Sequence, residues 1–547
     1  MAVQMIKTPF TGMSFTPDVP SSALQPNEYN AGQNIESDVR GVNSVLGEQY
    51  ILNTIPGTII FVTGGFRQGT TFWFIVATAQ GKWYGIDNAG YTDITPTTGT
   101  FTGYSTNTVI SASWNGNLLF LNDNINPPMY LTSTATKIAM YDHVDPVSGQ
   151  TYVWNYDVTT NISGNTIPLY SSLSAGFMRN YNSPNLGSLL IAGNLTGTIA
   201  ANVVYPTPGT VLNRPTTVRW SQSFGLSSGP TTWAPTLSNT ANELEIPVRG
   251  PVVDGFALNG NFYVCSYWDT VVFSPIAYQS STAPVFGISL VTQGRGLINE
   301  NCVITADQVA FGVDARDIWM FDGGKFTPIG NQKIKNYFYS NLNSNYTNQI
   351  FMVDNTRKNQ FEIYYPDLTS TGHCNQMISY RYDLQIWNPP RQVANATMAT
   401  ESPIWTGNVA NLSGRGIVYS SAAGNVALIQ KDIGTSFIGN TAISSTFQRN
   451  NISFGQDYSA SIQVHRVYPE VYGTGNINIA VGGASSVANT AVYQTTQSVA
   501  IQSANPWVQI TQNANRITSV QFSGNSAVNT WQLTAANWQV TKVEDTR

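Results

Sequence analysis

The stretch Val252–Tyr267, Val-Val-Asp-Gly-Phe-Ala-Leu-Asn-Gly-Asn-Phe-Tyr-Val-Cys-Ser-Tyr, decides the fold class. Two runs rich in aromatic and β-branched residues flank Asn259-Gly260. A two-residue type I′ turn needs positive φ at both central positions, so Asn-Gly between such runs is the strongest short-range hairpin signal. The same grammar recurs along the chain. Phe72–Ala77 and Trp83–Ile86 flank Gly81, and Val109–Trp114 and Asn117–Leu121 flank Asn115-Gly116. Further units run over Val309–Phe326, Gln349–Tyr365, Met377–Trp387 and Ile417–Ile429. A recurrence of about 35–60 residues fits the blades of a β-propeller better than a continuous barrel.

Composition agrees with an all-β chain. Of 547 residues only 10% are charged, against roughly 25% in an average soluble domain. Aromatic residues make up 12%, with 13 Trp, 27 Tyr and 24 Phe, which excludes intrinsic disorder. Coiled coils and helical repeats are built from Ala, Glu, Lys, Leu and Arg, a composition that a charged fraction of 10% excludes. Asn, Thr, Ser, Gln and 46 Gly supply the polarity instead, and such residues favour turns and strands over helices. The net charge of −5 predicts no basic face of the kind that holds nucleic acid. Three cysteines, Cys265, Cys302 and Cys374, make no disulfide framework and no zinc spacing. Neither a signal peptide nor a membrane span is expected from Met1–Phe10 or from apolar clusters as short as Phe72–Ala77.

These readings give an all-β protein with few helices. Residues 1–45, with Pro9, Pro17, Pro20 and Pro26, read as an extended N-terminal arm. Residues 46–435 read as a propeller of about six blades, within a range of five to seven. A loop-rich insertion is expected near 141–185, and the recurrence of Ile334, Phe338 and Leu342 predicts one short helix between Gln332 and Leu342. Residues 440–547 read as a C-terminal β-sandwich-like domain, because Asn476–Val481 alternates polar and apolar residues.

Candidate chemistry is sparse. Gly225-Leu226-Ser227-Ser228-Gly229 has the G-x-S-x-G form of a nucleophile elbow, but Pro230 and Pro235 forbid the helix that must follow. The histidines are His143, His373 and His465, and His373 neighbours Cys374 on what reads as opposite strand faces. Asp142, His143 and Asp145 could approach a metal, and Asp314, Asp317 and Asp322 cluster, but turns use Asp in the same way. Gly64 and Gly69 have Walker-loop spacing with Thr70 and Thr71 where Lys and Ser/Thr are needed. Gly294-Arg295-Gly296 is too short for a dinucleotide fingerprint. No enzymatic activity is expected, and no residue is assigned a catalytic, cofactor-binding or metal-binding role.

Two groups of motifs carry a family resemblance. The first comprises Arg219-Trp220-Ser221, Trp233-Ala234-Pro235, Leu244-Glu245-Ile246, Val253-Asp254-Gly255-Phe256, Val271-Val272-Phe273, Gly296, Ile318–Gly323 and Ile329-Gly330. The second comprises Val464–Pro469, Gly473–Gly482, Arg516, Phe522 and Trp531, with Asn34-Ile35, Gly41 and Gly47 compatible at the start. Together they resemble the tail nozzle proteins (tail hub, or packaged-DNA stabilisation proteins) of short-tailed bacteriophages. The resemblance implies a virion structural protein, made in the host cytoplasm, whose β-propeller subunits form a ring, expected to be a hexamer, below the portal and adaptor. Such a ring retains the genome, passes double-stranded DNA without sequence-specific binding, and supports tail fibres or spikes. It implies no cofactor and no membrane anchor. The alternative reading is a glycan-binding β-propeller or adhesin, which the aromatic and Asn/Thr-rich composition would also serve.

Overall fold

The computed structural model describes residues 1–547 except 1–2, 53–54, 100, 163–164, 202, 204–206, 226–227, 237–238, 277–284, 407–408, 423–426, 434–436, 439–440, 453, 455–459, 487–488, 505, 512–513, 526–529 and 544–547. The Val252–Leu258 and Asn261–Ser266 strands pair with Leu258 opposite Asn261, which leaves Asn259 and Gly260 as the two turn residues. Their φ values are 51° and 77°, as a type I′ turn requires. The Asn115-Gly116 turn is shifted by one residue. Asn115 pairs with Leu118, so the turn residues are Gly116, at φ 58°, and Asn117. Glycine at the first turn position is the type II′ solution instead.

Among the described residues such hairpins build seven antiparallel four-stranded blades. The first four run from Ile59–Gln68 to Gly90–Asp93, Ser111–Asn115 to Ala139–Met140, Tyr170–Ser183 to Asn242–Glu245, and Val252–Leu258 to Phe286–Gln293. The fifth runs from Val303–Ala306 to Phe326–Pro328. The last two share one long strand, Ile386–Thr406. Its first part pairs with Cys374–Arg381 in the sixth blade, and its second part pairs with Val409–Ser421 in the seventh. Asn395, at φ 47°, turns the chain between these roles. Glu48–Leu52 then pairs with Leu428–Lys431, so a strand from near the start of the chain completes the last blade and closes the ring.

Two sequence expectations need correction here. Residues 141–185 are not wholly an insertion: Tyr170–Ser183 is the first strand of the third blade. Only the segment before it, with the hairpin strands Tyr156–Ile162 and Asn165–Pro168, departs from the blade rhythm. Residues 1–45, read as an extended arm, are paired into the sandwich. Val3–Pro9 pairs with Trp531–Val543 over seven residues, and Val42–Ser44 joins the same strand. Ala31–Gln33 pairs with Ser444–Ile452 in the facing sheet. The early prolines sit at strand ends or between strands, where no ladder N–H is lost. The C-terminal sandwich is therefore built from both ends of the chain. The helix forms over Lys335–Asn341, with Ile334, Phe338 and Leu342 all buried as their spacing predicts.

Hydrophobic layers join the parts. Separate clusters lie between the first and second blades, around Phe61, Trp83 and Leu119, and between the third and fourth, around Phe177, Trp220 and Phe262. One continuous cluster runs from Phe256 and Trp319 through Trp387 into Phe447, Phe522 and Trp538 of the sandwich. A fully buried aromatic removes roughly 200 Å² from water. At about 25 cal/mol/Å² that contributes ~5 kcal/mol before entropy is counted. At the first joint Trp114 donates Nε1–H to Thr63 at 3.0 Å, and a Cβ on Gly65 would lie 2.6 Å from the Trp114 indole. Only glycine allows that approach.

Candidate functional site

Two ionic assemblies stand out in a chain with so few charges. The first lies where the innermost strands converge. Arg179, on the first strand of the third blade, meets Asp254 of the fourth through Nε–Oδ1 at 2.7 Å and Nη2–Oδ2 at 2.6 Å. The same guanidinium donates to Asn301 at 2.9 Å and to the Ala112 carbonyl of the second blade at 3.1 Å. Asn301 leads into the fifth blade and donates to the Ile110 carbonyl at 2.9 Å. One planar fork thus ties four blades, a task that suits arginine and not lysine. Glu300 lies beside it, and burial first, then the negative charge of Asp254, raises its pKa to about 8. The neighbouring space, lined by Phe61, Ile110, Asn301, Ile350, Phe351 and Met398, is only about 20 Å³. Little free space is left between these innermost residues.

The second assembly lies under a cleft of about 620 Å³ between the sixth blade, the Ile35–Ser44 hairpin and the sandwich. Arg40, Arg357, Lys358, Arg381, Asp432 and Tyr472 line it. Lys358 bridges Glu36 at 2.6 Å and Asp432 at 2.8 Å, and Arg391 reaches Asp432 at 2.6 Å and the Leu46 carbonyl at 2.9 Å. Deeper in, Lys431 pairs with Glu362, and both side chains are fully buried. Burial opposes the charge on Glu362, but Lys431 outweighs it and holds the carboxyl below its usual range. Asn355 and Gln360 donate to the same carboxylate at 2.8 and 3.0 Å. Glu48, on the closing strand, accepts from Tyr419, and burial raises its pKa from 4.5 to about 7. Buried pairs so fully hydrogen-bonded fix geometry more than they add stability. This cluster locks the chain start to the last two blades. No His or Cys lines the cleft.

The residues singled out in the sequence do not converge. Ser227 lies outside the described residues. His143 packs against Gly99, His373 lies beside the buried Cys374, and His465 contacts Thr541 at 2.8 Å, on three separate elements. Asp142 accepts from the Trp154 and Asn155 amides at 2.7 and 3.1 Å, and Asp145 from those of Val147 and Ser148. Asp314 accepts from the Arg316 and Asp317 amides, and Asp322 from those of Gly324 and Lys325. These aspartates organise turns. Among the described residues no group of three His, Cys, Asp or Glu side chains is arranged to hold a metal. Gly64 sits in a blade strand against Phe72, and Gly296 passes so close to the Ser266 carbonyl that a Cβ would lie 2.1 Å from it. The ionic assemblies carried no local sequence signal, because their members come from positions as far apart as Glu36 and Asp432.

No family model matches the chain, and no curated protein matches it. Solved structures give only distant likenesses. A chain of the mitotic checkpoint complex shares 7% identity, covers 71% of this chain and 94% of its own, and superposes with a TM-score of 0.37. A chain from the structure of BBS1N in complex with ARL6DN shares 7% identity, covers 71% and 97%, and has a TM-score of 0.38. Likenesses at this level do not bear on what the chain does.

Proposed function

We propose that this chain is the nozzle of a short bacteriophage tail, a structural virion protein and not an enzyme. Its copies assemble as a ring, a hexamer, beneath the portal-bound adaptor. The ring encloses the channel that retains the genome and conducts double-stranded DNA at ejection, and its sides support tail fibres or spikes. The observation that carries this reading is the ordered set of motifs, which falls on connected structural parts. Val253–Phe256 and Ile318–Gly323 belong to the fourth and fifth blades, while Val464–Pro469 and Trp531 belong to the sandwich. Low charge suits a DNA channel, since lysine contacts release counterions from DNA and hold its phosphates in place. Electron microscopy of the chain mixed with portal–adaptor particles tests the reading. Ring-shaped density below the adaptor is expected. Particles that remain bare at saturating chain would overturn it.

A further inference from the structure

Basic side chains are scarce, 25 in 547 residues, yet four of them line one open cleft of about 510 Å³ on the outer side of the fourth and fifth blades. They are Arg295, Arg316, Lys325 and Lys335, and no carboxylate lines the cleft with them. Their counter-charges lie behind. Arg295 contacts Asp314 at 3.0 Å and Lys335 reaches Asp317 at 3.9 Å, with both aspartates almost fully buried. Asp269 is buried beneath Gly294 and engaged by Arg249. Asp322 is exposed, and its carboxylate is occupied by the amides of Gly324 and Lys325. Arg316 and Lys325 are exposed, and among the described residues neither has a carboxylate within 4.0 Å. Arg316 donates to the Gly294 carbonyl, which fixes the guanidinium at the cleft wall. Arg316 and Lys325 thus face solvent, while Asp269, Asp314 and Asp317 are buried behind them.

The rest of the cleft is flat and partly apolar. Phe326, stacked on Phe321 at 4.2 Å between centroids, and Val291 form part of its lining. The Gly294 amide at its edge donates to the carbonyl of Trp268, whose side chain is 50% exposed beside the exposed Tyr267. Arginine and lysine favour carboxylate or phosphate oxygens, and the half-buried Phe326 ring in the lining offers an apolar face to the C–H groups of a sugar ring.

We infer that the cleft between the fourth and fifth blades binds an acidic glycan, a sugar chain bearing carboxylate or phosphate groups. The site does not depend on ring formation. Titration of the full-length chain at low salt with oligogalacturonate, polyglycerol phosphate, a neutral malto-oligosaccharide and a DNA duplex tests it. At least one of the two acidic polymers is expected to bind, and the neutral sugar is not. Lys325→Glu should weaken that binding about tenfold or more, the scale of one lost charged hydrogen bond. Lys325→Arg should retain it, and Arg415→Glu on the remote seventh blade should leave it unchanged. Failure of both acidic polymers, indifference to Lys325→Glu, or equal competition by the duplex would each overturn the inference. Native mass, read on the same samples, reports on the ring separately.

Discussion

At the scale of single residues, the few charges are concentrated where the architecture has joints. Asp254 is fully buried and faces Arg179, so Asp254→Asn leaves a guanidinium with half its partner in a site closed to water. A loss of about 3–5 kcal/mol in denaturant unfolding is expected. Glu300 and Glu48 act through pH. Each has a folded pKa, about 8 and about 7, raised above the usual 4.5. The folded state therefore holds protons that the unfolded chain has released. Their contribution is intact below pH 4.5 and is lost as pH rises through those values. Glu300→Gln should leave the melting temperature nearly unchanged at pH 4 and raise it above pH 8. An equal effect at both pH values would contradict the burial account. None of this was legible in the sequence, since a lone Glu in Ile-Asn-Glu-Asn carries no mark of the Asp254 it will meet.

At the scale of elements, hairpins were readable and their assignment to blades was not. Asn259-Gly260 fixed its own turn because both residues tolerate positive φ. The strand Ile386–Thr406 serves two blades with only Asn395, a lone residue at positive φ, between its two roles, so the seventh blade had no separate hairpin signal. The third blade was hidden because Tyr170–Ser183 is as rich in Asn and Ser as the loops before it. The early residues read as an arm because their strands are short, and their partners lie more than 400 positions away. That placement has a testable consequence. A Cβ on Gly41 would lie 2.3 Å from the Leu533 carbonyl, a rigid backbone atom. Gly41→Ala should destabilise the sandwich by about 1–3 kcal/mol, the range for overpacking. Hydrogen exchange should show the opening at Trp531–Val543 before the blades. A variant as stable as the parent would argue against the shared sheet.

At the scale of the whole molecule, the low charge has a structural reading. Several buried ion pairs sit at the ring joints, the closing strand and the sandwich junction, while Asn, Thr, Ser and Gln supply much of the remaining polarity. The all-β class and the propeller were legible because composition and hairpin grammar act locally. Closure by Glu48–Leu52 was not, because it joins residues about as far apart as the propeller allows. Glu48→Ala and Ile51→Asn together should loosen that closure, and faster proteolysis within Val409–Lys431 is the expected outcome. The central claim concerns assembly. The native mass of the purified chain over a micromolar concentration range, with class averages from the same sample, tests it most directly. The account predicts a sixfold ring of 59.5 kDa subunits around an axial hole that admits a DNA duplex. A monomer that persists at every concentration, alone and with adaptor rings, would contradict it.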